Sequence, residues 1–149
     1  MRTTDCANAY LKHVFNNDDI AGVGDASGLQ NSAAAGDLYL SLHSADPGIA
    51  GTQTTSELSY TGYLRKAVAR DSSNWTVSGL TAKNTLDIVF DECTAGSGTS
   101  LFVGIGTAST GAGRLLYRCQ QSGSRAISAG ISPKIDAEAL VVTEYDTIP

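Results

Sequence analysis

The sequence is poor in several residue types, and each shortage excludes a class of protein. Its 149 residues include three prolines, three cysteines, one tryptophan and one methionine, and only 17% of them are charged. Three cysteines without metal-type spacing predict reduced thiols rather than a disulfide framework, and a Cys93–Cys119 bridge is the alternative. Apolar runs stay well short of the ~20 residues of a membrane span, and no hydrophobic stretch follows the first residues. Neither a membrane span nor a secretory signal is therefore expected.

Positive charge is also scarce, and it is unevenly placed. The net charge is −5 with an isoelectric point near 4.8, which disfavours binding to nucleic acid or to an anionic membrane. Residues 93–135 contain four bases and no acid, whereas residues 136–149 contain four acids and no base. Either strand pairing brings the acidic tail alongside the basic segment, or the basic segment faces an acidic partner.

The N-terminal residues predict a short amphipathic helix over 4–16, with Thr4 or Asp5 as its cap. Apolar residues recur on one face of that helix with helical spacing. This stripe either closes over its own domain or forms the seam of an oligomer. Residues 17–36 are small and polar, and we expect them to form an irregular arm. The stripe consists of Ala7, Leu11, Val14 and Phe15.

After Gly36 the apolar period changes to two, which is typical of half-buried strands. Residues 37–43 predict the first strand, and residues 44–62 form a long loop of the kind that is usually functional or ordered by a partner. The sequence therefore predicts an all-β fold, an antiparallel β-sandwich or jelly-roll-like barrel, with a short N-terminal α-helix. We expect one domain over 1–149, with the helix and arm in 1–36 and the β domain in 37–149. Further strands are predicted at about 63–70, 74–78, 81–90, 100–106, 113–119 and 138–145.

Candidate chemistry is sparse. The glycine-rich run from Gly104 to Gly113 is followed by a strand-like segment and contains no lysine, so it predicts a hairpin loop rather than a phosphate cradle. His13 and His43 have no partner at a recognised metal-ligand spacing and are expected to be solvated or hydrogen-bonded. Trp75 is interpreted as a core residue rather than an exposed platform for sugar stacking. We expect no enzymatic activity, no cofactor and no bound metal.

Two tyrosines at the end of the long loop suggest an interface. Tyr60 and Tyr63 flank a Thr-Gly pair, and amphipathic tyrosines in such positions are typical interface anchors. Packing within their own domain is the alternative interpretation.

Several segments, taken in order, resemble a family of small structural proteins of tailed bacteriophages. Members of this family usually carry the label tail fibre protein, and some similar phage proteins are head decoration or cement proteins with jelly-roll-like domains. The resemblance covers residues 20 to 145 and implies a virion component rather than a catalyst. It rests on residues 38–48, 51–55, 60–65, 67–70, 74–79 and 102–107.

The resemblance and the short, unrepeated chain together favour a head decoration or cement protein that binds and stabilises the capsid lattice. A tail or tail-fibre-associated attachment protein and a host-glycan-binding module are the alternatives. The expected partners are major capsid protein subunits, and symmetric lattice sites favour a homo-oligomer, either a dimer or a trimer. We expect synthesis in the bacterial host cytoplasm and a final location on the outer capsid surface. Arg65, Lys66 and Arg70 are expected to meet capsid carboxylates, and solvated strand-edge charges are the alternative.

Overall fold

One helix and nine strands lie within residues 2–24 and 26–144, which are the residues that the computed structural model describes. The final residue of the last predicted strand and the end of the acidic tail, 145–149, lie outside the described residues, as does Asp25 of the predicted arm. The elements are α1 (Thr4–Asn16), β1 (Asp37–His43), β2 (Lys66–Ala69), β3 (Trp75–Ser78), β4 (Thr81–Asn84), β5 (Ile88–Val89), β6 (Ser97–Gly106), β7 (Leu115–Ser128), β8 (Lys134–Ile135) and β9 (Val141–Thr143).

The strands form three sheets. The largest has the order β2-β1-β6-β7, the second has the order β3-β4-β9, and the third contains β5 and β8. Antiparallel pairing joins β1 to β6, β6 to β7, β3 to β4, β4 to β9 and β5 to β8. The predicted all-β class with antiparallel sheets and one short N-terminal helix is confirmed, and the sheets of the described residues are open rather than closed into a barrel.

The chain divides into two compact units. Unit 1 comprises residues 1–37, 69–86 and 137–149, and unit 2 comprises residues 38–68 and 87–136. In unit 1 the helix α1 packs against β3 and β4, whereas unit 2 contains most of the four-stranded sheet and the β5–β8 pair. The domain division predicted over 1–149 stays a prediction.

The helix begins at Thr4, as predicted, but its cap lies one residue before the predicted position. Thr3 has an extended backbone (φ −70°, ψ 160°), and its hydroxyl accepts a hydrogen bond from the Cys6 amide at 3.2 Å. The cap expected at Thr4 or Asp5 is therefore corrected to Thr3, because the capping residue must lie outside the helical backbone. At the other end Asn17 adopts a left-handed conformation (φ 59°), which ends the helix after Asn16.

The strand predicted over 81–90 is two strands in different sheets. Asn84 ends β4, and its buried amide donates to the Leu86 carbonyl at 2.8 Å while its oxygen accepts from the Leu140 amide at 2.8 Å. These bonds divert the backbone before β5 begins at Ile88. The strand predicted over 113–119 is longer than predicted. It continues as β7 to Ser128, because β6 begins at Ser97 and pairs with this extension.

In the described residues, the acidic tail forms no strand pair with the basic segment. Its strand β9 pairs with β4, inside unit 1, so the interpretation based on tail pairing is wrong for the described residues. The basic side chains meet other carboxylates: Arg118 pairs with Asp46, and Lys134 lies 3.1 Å from Asp87 and 2.6 Å from Asp136. In these three ion pairs, the acidic tail supplies one carboxylate, that of Asp136, its first residue.

Candidate functional site

The long segment after β1 is held against its own sheet. The Ser44 amide donates to the Ser56 carbonyl at 2.8 Å, and the Leu58 amide donates to the Leu42 carbonyl at 2.9 Å. The Asp46-Pro47-Gly48 turn is closed by the Gly48 amide, which donates to the Asp46 carboxylate at 2.8 Å. Contacts within unit 2 therefore order this segment, which is predicted from the sequence to be functional or ordered by a partner.

Gln53 connects that segment to β1 and to the connection between β6 and β7. Its side chain is fully buried, the amide nitrogen donates to the Tyr39 carbonyl at 3.2 Å, and the amide oxygen accepts from the Ala108 backbone at 2.9 Å. The Gln53 backbone amide also donates to the Gly113 carbonyl at 3.2 Å. Ala108 and Gly113 lie in the β6–β7 connection, so the hairpin predicted for the glycine-rich run is confirmed.

His43 is the fully buried histidine at the end of β1. Its Nδ1 lies 2.8 Å from the Thr55 carbonyl oxygen, and its Nε2 lies 2.8 Å from Ser41 Oγ. Because a carbonyl only accepts, Nδ1 carries the proton, and Nε2 of the neutral ring accepts from the Ser41 hydroxyl. Burial lowers the pKa of His43, although the Thr55 carbonyl and the nearby Glu57 oppose that shift. Of the two alternatives predicted for His43, solvated or hydrogen-bonded, the structure shows the hydrogen-bonded one.

Two glycines of β6 make room for these buried polar side chains. A Cβ on Gly104 would lie 2.5 Å from His43 Nε2 and 2.6 Å from Ser41 Oγ. A Cβ on Gly106 would lie 2.1 Å from the Gln53 side-chain carbonyl carbon. In a strand, such glycines allow another group to approach the backbone closely. The placement of these two glycines on either side of Ile105 is the signal in the sequence that could have indicated this packing, but it does not identify the residues that approach.

Arg65 forms a buried ion pair with Glu57. Its Nε and one terminal nitrogen each lie 2.7 Å from a different carboxylate oxygen, and the two side chains are 3% and 14% exposed. The guanidinium also donates to the carbonyls of Ala108 at 2.9 Å and Gly111 at 2.7 Å. Hydrogen bonding to Glu57 raises the pKa of Arg65 above its ordinary value. Arg65, predicted to meet a partner's carboxylate, is thus bound to a carboxylate of its own unit.

The predicted tyrosine anchors pack against each other. Their rings are 5.3 Å apart in an edge-on arrangement with an interplanar angle of 70°. Tyr60 is 6% exposed and donates to the Asp91 carbonyl at 3.0 Å. The Tyr63 hydroxyl donates to Glu57 at 2.8 Å and accepts from the Leu42 amide at 3.0 Å, and burial raises its pKa well above the usual range. Packing within unit 2, the alternative interpretation, describes both residues.

The other two predicted basic residues differ from each other. Lys66 keeps 40% of its side chain exposed and lies 3.7 Å from Asp91. Arg70 binds three carbonyl groups of unit 1: those of His13 at 2.6 Å, Val14 at 2.6 Å and Ala35 at 3.0 Å. It therefore caps the last turn of α1 and fixes the arm, and burial lowers its pKa.

The apolar stripe of α1 packs inside unit 1. Leu11 and Phe15 are fully buried, and the Phe15 ring lies 4.7 Å from the ring of Trp75. Trp75 is itself fully buried, as its interpretation as a core residue predicted. Val14 is half-buried. The interpretation of the stripe as part of its own core thus describes Leu11 and Phe15, since a partner could reach them only by opening the unit.

Residues 2–24 and 26–144 contain no group of three or more histidine, cysteine or acidic side chains that could hold a metal ion. Within the same residues, no helix has both the length and the apolar character needed to cross a membrane. The three cysteines are unpaired: Cys6 is exposed, Cys93 is buried and Cys119 is partly exposed. Burial raises the pKa of the Cys119 thiol to about 11.

Residues 3–143 match the family described as Podophage GP4 fiber I protein gp80. The chain therefore belongs to that family, and the resemblance to phage tail-fibre-type structural proteins is confirmed. A search of curated proteins found no match. Membership supports a structural role and a location in the virion.

Proposed function

We propose that this chain is a fibre-associated structural module that attaches to other proteins of the phage virion. The observation that carries the proposal is the family match over residues 3–143, which includes every helix and strand of the described residues. Because the family description names a fibre, we prefer this role to the head decoration that the sequence alone favoured. Head decoration on the outer capsid surface becomes the competing assignment.

The geometry of unit 2 supports a docking role. Gln53, Glu57 and Arg65 use their polar groups to fix the long segment and the β6–β7 connection. A surface held in one conformation loses little conformational entropy when a partner binds it. Where copies are joined in the expected dimer or trimer, a modest affinity per copy then suffices, because linked sites increase the overall strength of attachment.

Apolar side chains on the surface of unit 2 supply the proposed contact. Ile49 is 96% exposed and Leu64 is 62% exposed. Ile49 lies within a constrained turn, in which the Gly51 amide donates to the Gly48 carbonyl at 3.3 Å and a Cβ on Gly51 would lie 2.2 Å from the Pro47 carbonyl oxygen. An exposed apolar side chain on such a turn is suited to filling a pocket on a neighbouring subunit. Among the predicted interface residues, Lys66 has a side chain that is 40% exposed, and we assign it to the same contact surface.

The deciding experiment counts copies per particle. Purified virions and tailless heads are compared by quantitative mass spectrometry, with the major capsid protein as the reference. We expect a small number of copies that disappear with the tails. Hundreds of copies retained on tailless heads would overturn the fibre assignment and establish head decoration. The predicted dimer or trimer stays a prediction, and light scattering of the purified protein measures it.

A second experiment tests the contact itself. Ile49→Asp places a charge on the exposed turn, and Ile131→Asp is the matched control because Ile131 is also exposed in unit 2, at 45%. Phage lacking the native protein are supplied with each variant. We expect Ile49→Asp to fold but to be missing from particles, and Ile131→Asp to be incorporated normally. Normal incorporation of both variants would refute the role of Ile49.

A further inference from the structure

The fully buried His43 lies where β1 meets the segment that covers it. We call residues 52–58 the covering segment, because they contribute Gln53, Thr55 and Glu57 to the side of β1 that carries His43. The covering segment is also tied to β1 by the Leu58 amide. The imidazole therefore bridges the covering segment, through the Thr55 carbonyl, and the strand, through Ser41 Oγ.

Protonation would disrupt this arrangement. In the imidazolium both ring nitrogens donate, so Nε2 would present a proton to Ser41 Oγ, and the Ser41 hydroxyl would have to turn to another acceptor. The backbone of Gly104 closes the site from β6, since even a Cβ there would lie 2.5 Å from Nε2. A buried cation in so tight a site lacks the hydration that would stabilise it.

The ionisable groups around the ring do not replace that hydration. Glu57 of the covering segment lies near His43, but its carboxylate is already paired with Arg65 and accepts from Tyr63. Arg65 itself acts against a second positive charge. Ser41 of β1 and Gly104 of β6 face each other beside the ring, and neither is ionisable. Opposite Gly104 on β7 is Arg118, a further cation, whose carboxylate partner is Asp46.

We propose that His43 is an acid-operated latch, whose protonation releases the covering segment from β1. At neutral pH the uncharged ring keeps the segment closed. In acid, water reaches the ring most directly when the covering segment opens, because this segment forms one of the two hydrogen-bonded walls of the site. The rest of the sheet keeps its β1–β6 and β6–β7 pairing.

Proton linkage gives the sign and the size of the effect. The closed form favours neutral His43, and the open form has the ordinary pKa of 6.5. The covering segment is therefore most stable above pH 6.5 and loses stability as the pH falls below that value, until the closed-state pKa is reached. Within this window the opening constant rises by up to about tenfold per pH unit, since the open form binds one more proton.

Hydrogen exchange on the full chain tests the latch. Exchange is followed by mass spectrometry from about pH 7.5 to about pH 5, above most of the carboxylate titration range, and is corrected for the intrinsic effect of pH. Peptides from the covering segment report opening, and peptides from β3 and β4 are the internal reference. The chain contains two histidines, so His13→Gln is the matched control for His43→Gln, and NMR titration assigns each imidazole.

We expect the covering segment to lose protection in acid in the native chain and in His13→Gln, with no such dependence in His43→Gln. The His43 resonance should titrate below 6.5. If His43→Gln fails to fold, agreement between the His43 titration and loss of protection in the native chain still decides the matter. Protection of residues 52–58 that does not change with pH, or a His43→Gln variant as pH-dependent as the native chain, would overturn the proposal.

Discussion

Gly104→Ala adds a single methyl group at a crowded point of unit 2. The new Cβ would lie 2.5 Å from His43 Nε2, 2.6 Å from Ser41 Oγ and 2.8 Å from Leu115 Cδ1. Leu115 can move, but His43 and Ser41 are fully buried and hydrogen-bonded to each other. The methyl group therefore cannot be accommodated without breaking that hydrogen bond or shifting β6 away from β1.

The expected cost follows from overpacking and from the lost hydrogen bond. Forcing an extra methyl group into a packed core costs about 1–3 kcal/mol, and a buried nitrogen left without its partner costs about 1–3 kcal/mol more. We expect the free energy of unfolding to fall by roughly 2–6 kcal/mol in total. For a chain of this size, each kcal/mol corresponds to about 2–4 °C in the melting temperature. Urea unfolding and differential scanning calorimetry measure the two quantities.

Gly123→Ala is the matched control within the same sheet. A Cβ on Gly123 of β7 would meet no atom within 4 Å, so this substitution should leave the free energy of unfolding unchanged or raise it slightly. The reasoning is refuted if Gly104→Ala is as stable as Gly123→Ala, or if both variants lose the same stability. Equal losses of stability in the two variants would show that replacing glycine by alanine in a strand, rather than contact with His43, causes the destabilisation.

Three further predictions concern the buried ion pair, the helix stripe and the thiols. Glu57→Gln should lower the free energy of unfolding by about 3–5 kcal/mol in denaturant titrations, because it leaves the Arg65 charge buried without its counter-ion. Phe15→Ala should cost about 3–5 kcal/mol by the same measurement, since the ring is fully buried, and a loss below about 1 kcal/mol would contradict this. Iodoacetamide at about pH 8 should label Cys6 quickly and Cys119 slowly, because the pKa of Cys119 is about 11. Mass spectrometry of peptides checks this, and equal labelling of both would refute it.

Local patterns predicted the regular elements well. The apolar spacing of residues 4–16 and the strict alternation of residues 37–43 gave the bounds that the structure has for α1 and β1. Both patterns arise within one element, where the period of the backbone decides which side chains are buried. The division of residues 81–90 was not predictable in this way, because it depends on Asn84 binding Leu140, 56 residues further along the chain.

The candidate site shows the same limit. Tyr60, Tyr63 and Arg65 have the composition of an interface, and the sequence contains no sign that Glu57 and the β6–β7 connection would occupy their polar groups. Conversely, Gln53 has no local pattern at all, yet it is fully buried and joins β1 to the β6–β7 connection. A polar side chain is buried only where it finds hydrogen-bond partners, and these are often distant in sequence. A single sequence does not identify those partners.

The net charge of each unit argues against the acidic partner that the basic stretch 93–135 suggested. The basic stretch 93–135 lies in unit 2, but that unit has six acidic and six basic residues and is neutral overall, so the charge of −5 belongs to unit 1. Docking through Ile49 of unit 2 should therefore depend little on salt, because the contact is apolar and the unit carries no net charge. Binding of the purified protein to particles that lack it, measured from about 0.05 M to about 0.5 M salt, checks this. A decline in affinity of tenfold or more would instead place the contact on the acidic unit 1 and would favour a basic partner surface.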